Sequence, residues 1–296
     1  MNKEKTLLLL QTDADTDPVF QKWIDNGYIA DLIFKELNKP LRILRRVLLK
    51  SENLNLKFLY QDWIKQLDKY STVIIHASEL TYNIVHYIKK KYPKMRVIVW
   101  YWNKVTENNK PQKYGDNIEL WSFDKNDCKE YGMKYNIQYY EPSFHNIVDK
   151  KNIMTDIFFV GHDEGRKKMI LDFQTLAENM GLVCDIRISD TYGGWFIPYA
   201  EVEKKVLTTK SILELNRIGQ SGVTLRAMES LFYCKKLITN NKDIVNEPYY
   251  NKNNIFIIGE DDSNQLYSFV NSSYDHTVDK YMNEYNLEAW FNRFDN

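Results

Sequence analysis

The sequence predicts an α/β fold of two Rossmann-like domains facing each other across a cleft. Three observations lead there. Short apolar runs alternate with longer amphipathic stretches along the chain, the signature of βαβ units. The alternation restarts after a polar segment at 141–155 that contains Pro142 and the run Asp149-Lys150-Lys151-Asn152. The length, 296 residues, suits two domains of about 150 each.

The first half reads as strands at Thr6–Leu10, Thr72–His76, 96–100, 118–122 and 137–140. These runs are rich in Leu, Ile, Val and aromatic residues, as strands buried on both faces require. Helical patterns at 18–37, 58–69 and 81–92 separate them, and Pro93 stops the last. In the second half a strand at 156–160 runs into Gly161 and a helix at 167–180. Strands at 182–188, 211–215, Lys236–Thr239 and Ile255–Ile257 follow, then a final helical stretch at 275–294. The expected domains are 1–150 and 151–296, with a last helix able to pack back on the N-terminal one.

Hydrophobic residues at 44% and charged ones at 27% exclude disordered, collagenous and channel classes. Net charge is zero, but the halves differ. Residues 1–150 carry 24 Lys and Arg against 19 Asp and Glu, while 151–296 carry 16 against 21. Within 39–113, sixteen basic residues face five acidic ones. Three dispersed cysteines, Cys128, Cys184 and Cys234, form no CxxC pair, which argues for a reducing compartment without a disulfide framework or zinc site. Thr6–Leu10 is too short for a secretory leader, and no window approaches the length of a membrane span. A cytoplasmic protein is the expectation.

In open parallel sheets ligands bind beyond the carboxyl ends of the strands, so the residues there bear on function. After the strand ending at Leu215 comes a loop with Gly219 and Gly222, then a helix opening near Thr224. Thr224 is a natural N-cap, and glycines before free helix-terminal N–H groups make a phosphate site. Arg226 in the first turn opposes the helix macrodipole, a placement that an external anion explains. Glu229, further along the helix, suits ribose hydroxyls. An ordinary crossover with Arg and Glu on its surface fits the pattern equally well.

The segment from Gly222 to Thr239 resembles the donor-binding segment of GT-B glycosyltransferases, in which a glycine-containing loop opens a helix whose Glu holds the donor ribose. The strings GQSGVTLRAMESLFYCKKLITNN and SFDKNDCKEYGMKYN resemble more closely those of bacterial lipopolysaccharide and capsule glycosyltransferases, most clearly over 120–260. The resemblance implies a GT-B fold, a nucleoside-diphosphate sugar as donor substrate and no required metal. One position departs: Ser221 stands where many retaining members carry an acid eight residues before the ribose Glu, which leaves retention or inversion open. The turn Gly161-His-Asp-Glu-Gly-Arg-Lys167 opens the second domain. Gly161 and Gly165 permit close backbone approach, and Arg166 and Lys167 can reach a diphosphate. The resemblance implies that role; a solvated helix start is the alternative.

In the first domain, loop 12–18 holds Asp13, Asp15 and Asp17, where an acceptor would enter. A base that deprotonates a sugar hydroxyl belongs there, and Asp13 is favoured, with an Asp-rich helix cap as the alternative. The D-x-D spacing invites a metal, but its place at the start of a two-Rossmann chain argues against one. His76 ends the second strand and is a second catalytic candidate; Trp102 and Asn103 can contact a sugar ring.

Residues 41–50, wound as a helix, put Arg42, Arg45, Arg46 and Lys50 on one arc. Leu41, Ile43, Leu44, Val47 and Leu48 fill the other, with Leu49 a misfit. Such a helix reads as a membrane-surface element, extended by Lys89, Lys90, Lys91, Lys94 and Arg96; docking on its own core is the alternative. The expected function is transfer of a sugar from a UDP-type donor to a lipid-linked saccharide in surface polysaccharide assembly, on the inner face of the membrane. A sugar-nucleotide epimerase and a non-catalytic partner subunit are the competing readings. Nucleic-acid binding is disfavoured, because no recognition motif accompanies the basic stretch.

Overall fold

Leu7, Leu8, Leu9 and Leu10 are all buried, and with Thr6 they form β1 (Thr6–Leu10). The computed structural model describes residues 1–10, 20–49, 56–143, 153–190, 197–217 and 222–295. Two compact units emerge, Met1–Asn136 with Phe291–Asn296, and Ile137–Trp290.

In the first unit β1 is flanked by β2 (Ile29–Leu32) and β3 (Thr72–His76), and β4 (Arg96–Tyr101), β5 (Glu119–Ser122) and β6 (Lys134–Tyr135) extend the sheet. All these pairings are parallel, with Leu7 opposite both Ile29 and Val73. A parallel sheet needs cover on both faces. Helices α1 (Phe20–Asp25), α3 (Tyr82–Lys91) and α4 (Lys125–Tyr131) supply part of it, while α2 (Lys39–Leu49) is mostly exposed. The C-terminal residues contribute Phe291, against Tyr28 at 4.9 Å, and Phe294, against Trp121 at 5.0 Å.

Three expectations for residues 1–150 fail for identifiable reasons. The single helix at 18–37 is α1 followed by β2, because Gly27 turns left-handed at φ 75° and its N–H closes on Ile24. The stretch 58–69 is three short 3-10 turns instead of one helix. Its backbone is committed elsewhere: the Leu59 carbonyl accepts from Lys35 N–H at 2.9 Å, and Gln61 N–H donates to Ile33 at 3.2 Å. Residues 137–140 form no strand. Ile137, Tyr139 and Tyr140 are nevertheless buried, and Tyr139 packs on Trp290 at 4.4 Å.

Helix α2 turns its faces differently from a core-docked helix. Arg45 stacks on Phe34 at 4.5 Å, and Leu49, the misfit of the amphipathic pattern, is the buried leucine. Leu41, Ile43, Leu44 and Val47 are exposed, Ile43 to 58% and Val47 to 61%. Lys50 and the Arg46 side chain lie outside the described residues.

The second unit holds the parallel sheet β11-β10-β9-β7-β8, from β7 (Thr155–His162), β8 (Cys184–Ser189), β9 (Thr209–Glu214), β10 (Lys236–Thr239) and β11 (Ile255–Ile257). Helices α5 (Lys167–Asn179), α6 (Tyr199–Leu207), α7 (Leu225–Phe232) and α8 (Leu266–Asn271) accompany it. Its core gathers Ile157, Phe159, Ile170, Leu213 and Ile238. The expected final helix is divided into a 3-10 turn (His276–Tyr281), α9 (Met282–Tyr285) and α10 (Leu287–Arg293). Asn286 makes the break: it is extended, and its side chain caps α10 by accepting from Ala289 N–H at 2.8 Å. No helix among the described residues is long and apolar enough to cross a membrane.

Candidate functional site

In the second sheet the chain passes from β7 to β8 on one side, then crosses to β9 on the other. Ligands of doubly wound folds bind where the strand order reverses in this way, at the carboxyl ends. Here that place is the end of β7, at Gly161 and His162, beside the end of β9, at Glu214.

Two guanidinium groups meet there. Arg226, in the first turn of α7, donates to the Val160 carbonyl and lies over the Phe159 ring at 4.9 Å. Arg166, just before α5, sits 5.6 Å from the same ring and donates to the carbonyls of Leu215 and His162. Gly161 makes room for both. A Cβ at that position would stand 2.7 Å from Arg226 Nη2 and 3.4 Å from Arg166 Nη2. Arg166 also pairs with Glu164 at 3.2 Å, and Arg217 Nε donates to the same carboxylate at 2.6 Å. Arg226 has no carboxylate partner among the described residues.

Thr224 caps α7, accepting from Arg226 N–H at 3.2 Å, and its hydroxyl donates to Glu214. Glu214 is fully buried and also accepts from Thr239 at 2.5 Å. This carboxylate therefore locks the mouth of α7 to β9 and β10. Gly222 is buried just ahead of the cap; Gly219 and Ser221 lie outside the described residues. Gly165 serves the turn through its positive φ of 82°, with nothing within 4 Å of an added Cβ. Lys167 pairs with Asp190 at 2.7 Å on an exposed surface, so of the two adjacent basic residues Arg166 is the one drawn to the strand ends.

Glu229, 3% exposed, lies on the inner side of α7 and accepts from the Tyr199 hydroxyl at 2.6 Å. A chain of hydroxyls runs on from it. The Tyr199 and Tyr140 hydroxyl oxygens lie 3.2 Å apart, and Tyr140 donates to Glu203 at 2.8 Å. Glu203 also accepts from Tyr233 at 2.8 Å and from the Ser143 hydroxyl at 2.6 Å. Burial, and then the charge of Glu229, push the Tyr199 hydroxyl well above its ordinary range, so it stays protonated and donating. Sequence patterns do not reveal this network, whose members come from three separate segments. Glu214 did leave a signal, an acid between Leu213 and Leu215 at the end of a strand.

In the first unit the strand order reverses between β1 and β3. His76 ends β3 there, half-buried, edge-on to Trp23 at 5.2 Å and tilted toward Trp102 at 5.3 Å. Asn103 is exposed. Asp13, with Asp15 and Asp17, falls outside the described residues.

These two parallel sheets with their flanking helices give the chain the GT-B fold. No family model matches the chain, and no curated protein matches it in sequence. Solved structures do match. The lipopolysaccharide outer core galactosyltransferase WaaB in its apo form superposes with a TM-score of 0.51 at 10% identity, over 98% of each chain. AviGT4, a glycosyltransferase involved in avilamycin A biosynthesis, gives 0.57 at 9% identity, over 98% of this chain and 95% of that one. A UDP-GlcNAc 2-epimerase from Methanocaldococcus jannaschii gives 0.40 at 11% identity, over 91% and 94%.

Proposed function

We propose that this chain is a glycosyltransferase that moves a sugar from a nucleoside-diphosphate donor, of the UDP type, to a lipid-linked saccharide in bacterial surface polysaccharide assembly. The observation that carries it is the pair of arginines seated over Phe159 at the reversal point of the second sheet, with the N-terminus of α7 beside them. In the proposed reaction the bond between the sugar's anomeric carbon and the diphosphate breaks. The acceptor oxygen bonds to that carbon, its proton passes to a base, and the diphosphate leaves with the electron pair. Residues 151–296 would hold the donor: Arg166, Arg226 and the α7 amides on the diphosphate, with Gly161, Gly222 and Thr224 shaping the turn. Glu229 would take the ribose and Lys167 an outer phosphate. Fixed donors of this kind stabilise the departing charge without reorganising. Residues 1–150 would receive the acceptor, with Asp13 or His76 as base.

The test is a thermal-shift screen against UDP-, GDP-, dTDP- and CMP-sugars, followed by turnover with the stabilising donor. A shift with one nucleotide class supports the reading, and no shift with any overturns it.

Attachment to the inner face of the membrane is part of the proposal, and it rests on α2. The exposed Leu41, Ile43, Leu44 and Val47 form an apolar surface beside Arg42 on a strongly basic stretch, the composition of an interfacial helix. An epimerase has no need of that surface. Ile43→Ser with Val47→Ser should cut co-sedimentation with anionic liposomes by roughly tenfold or more, given about 0.8 kcal/mol per buried methylene. Undiminished sedimentation would remove α2 from the proposal.

A further inference from the structure

The second unit carries another convergence of reactive side chains, at the opposite end of its sheet from the arginines. Cys234 follows Tyr233 at the end of α7, and His276 and Asp279 belong to the turn His276–Tyr281. One ligand atom from each, the thiol sulfur, an imidazole nitrogen and a carboxylate oxygen, lies within 4.8 Å of the other two. Asp279 stands in the middle. Its Oδ2 is 2.9 Å from His276 Nδ1, and its Oδ1 accepts from the Cys234 thiol at 3.9 Å.

That order decides between two chemistries. A nucleophilic thiol needs the imidazole between itself and the acid, so that the ring can take its proton. Here the carboxylate separates thiol from imidazole, and the group is no triad. A thiol, an imidazole and a carboxylate with ligand atoms this close together are instead a mixed sulfur, nitrogen and oxygen ligand set of the kind zinc takes.

Two features make the arrangement more than a surface coincidence. Cys234 adopts φ 51°, a left-handed backbone rare for a residue other than glycine, and this turn presents its sulfur to Asp279. A pocket of about 480 Å³ is lined in part by Cys234 and His276, and by Lys210, Lys235 and Lys236, whose ammonium groups are held by Asp156, the Leu207 carbonyl and Ser272. Thr209 and Lys236 open β9 and β10, so this pocket lies at the amino ends of the strands.

We propose that Cys234, His276 and Asp279 bind one zinc-class divalent cation. The thiol releases its proton to solvent as the sulfur–metal bond forms, while the imidazole binds neutral and the carboxylate ionised; nothing is oxidised or reduced. Thiolate and carboxylate then balance the two charges of the ion. The bound metal fastens the residue that follows α7 to the turn before α9, and it takes no part in the transfer proposed above. Dispersed cysteines gave no hint of it, because the partner ligands are far away in sequence.

The test uses the full chain, stripped with a chelator and titrated with Co²⁺ alone. One equivalent should raise a thiolate-to-cobalt charge-transfer band that Zn²⁺ removes, and Zn²⁺ should raise the melting temperature. Cys234→Ser should lose the band and the zinc-induced shift, and His276→Ala and Asp279→Asn should weaken cobalt binding. Cys128→Ser with Cys184→Ser should keep both signals. A folded wild-type protein without the band, or a band that survives Cys234→Ser, overturns the proposal.

Discussion

The two reversal points of the molecule are built from opposite materials. Between β7 and β9 lie Arg166, Arg226, Glu214 and Thr224, charged or hydrogen-bonding groups fixed by one another and by carbonyls. Between β1 and β3 the described wall is His76 set between Trp23 and Trp102. The first sheet keeps an ionic cluster at its amino end instead, where Arg96 opens β4 and binds Glu119 of β5 at 2.6 Å. Equal topology thus yields a polar strand end in one unit and an aromatic one in the other. A diphosphate demands the first kind, and a sugar ring packs on the second.

The sharpest way to break this contrast is Arg226→Ala. A charge-assisted hydrogen bond contributes about 1.5–3 kcal/mol, so nucleotide affinity by calorimetry should fall by roughly 10- to 100-fold. His76→Ala should instead lower turnover and leave nucleotide affinity within about twofold, each 1.4 kcal/mol being about a tenfold change. If His76→Ala weakens the nucleotide as much as Arg226→Ala does, the division between the two units is wrong.

A smaller effect is expected for Tyr199→Phe. It removes the hydroxyl that donates to Glu229 and leaves a buried carboxylate short of a partner, which costs about 1–2 kcal/mol. Urea unfolding should register that loss, and nucleotide affinity should fall by roughly tenfold or less. A stability loss with unchanged affinity would make Glu229 a structural residue only.

The smallest effect concerns the amino end of the first sheet. Burial alone would raise the Glu119 carboxyl, yet hydrogen bonds from Arg96 and Lys134, with their charges, hold it at about 2. A folded value below the unfolded one of 4.5 means that stability is gained above that pH and lost as pH falls toward 2. The pair is partly exposed and screened, so Glu119→Gln should cost about 1 kcal/mol at neutral pH. The difference from wild type should shrink in urea titrations below pH 4. A difference independent of pH would show that packing, not charge, is what Glu119 supplies.

Strands such as β1 and β10 were legible because both of their faces are buried, which leaves runs such as Thr6–Leu10 uninterrupted. Strand β2 was hidden because Ile29 to Leu32 carries an Asp and continues a helical pattern whose end is marked only by Asn26-Gly27. At 58–69 the buried Leu59, Trp63 and Leu67 keep helical spacing, but their backbone bonds to residues 33–35, and no local pattern encodes that. Arg166 and Arg226 each carried a local cue, a turn after a strand and a helix start. Their meeting over Phe159 depends on β7 lying beside β9, which is a fact of topology. For α2 the pattern supplied two faces without saying which is covered, and only packing singles out Arg45 and Leu49.

The seat of Arg226 carries one more consequence. Because a Cβ at position 161 would strike Arg226 Nη2, the two positions are not independent in any library of variants. A side chain at 161 must displace the Arg226 guanidinium, so the cost of changing both positions should fall below the sum of the singles. Loss of the arginine thus lowers the barrier to loss of the glycine, whereas the arginine itself can change first.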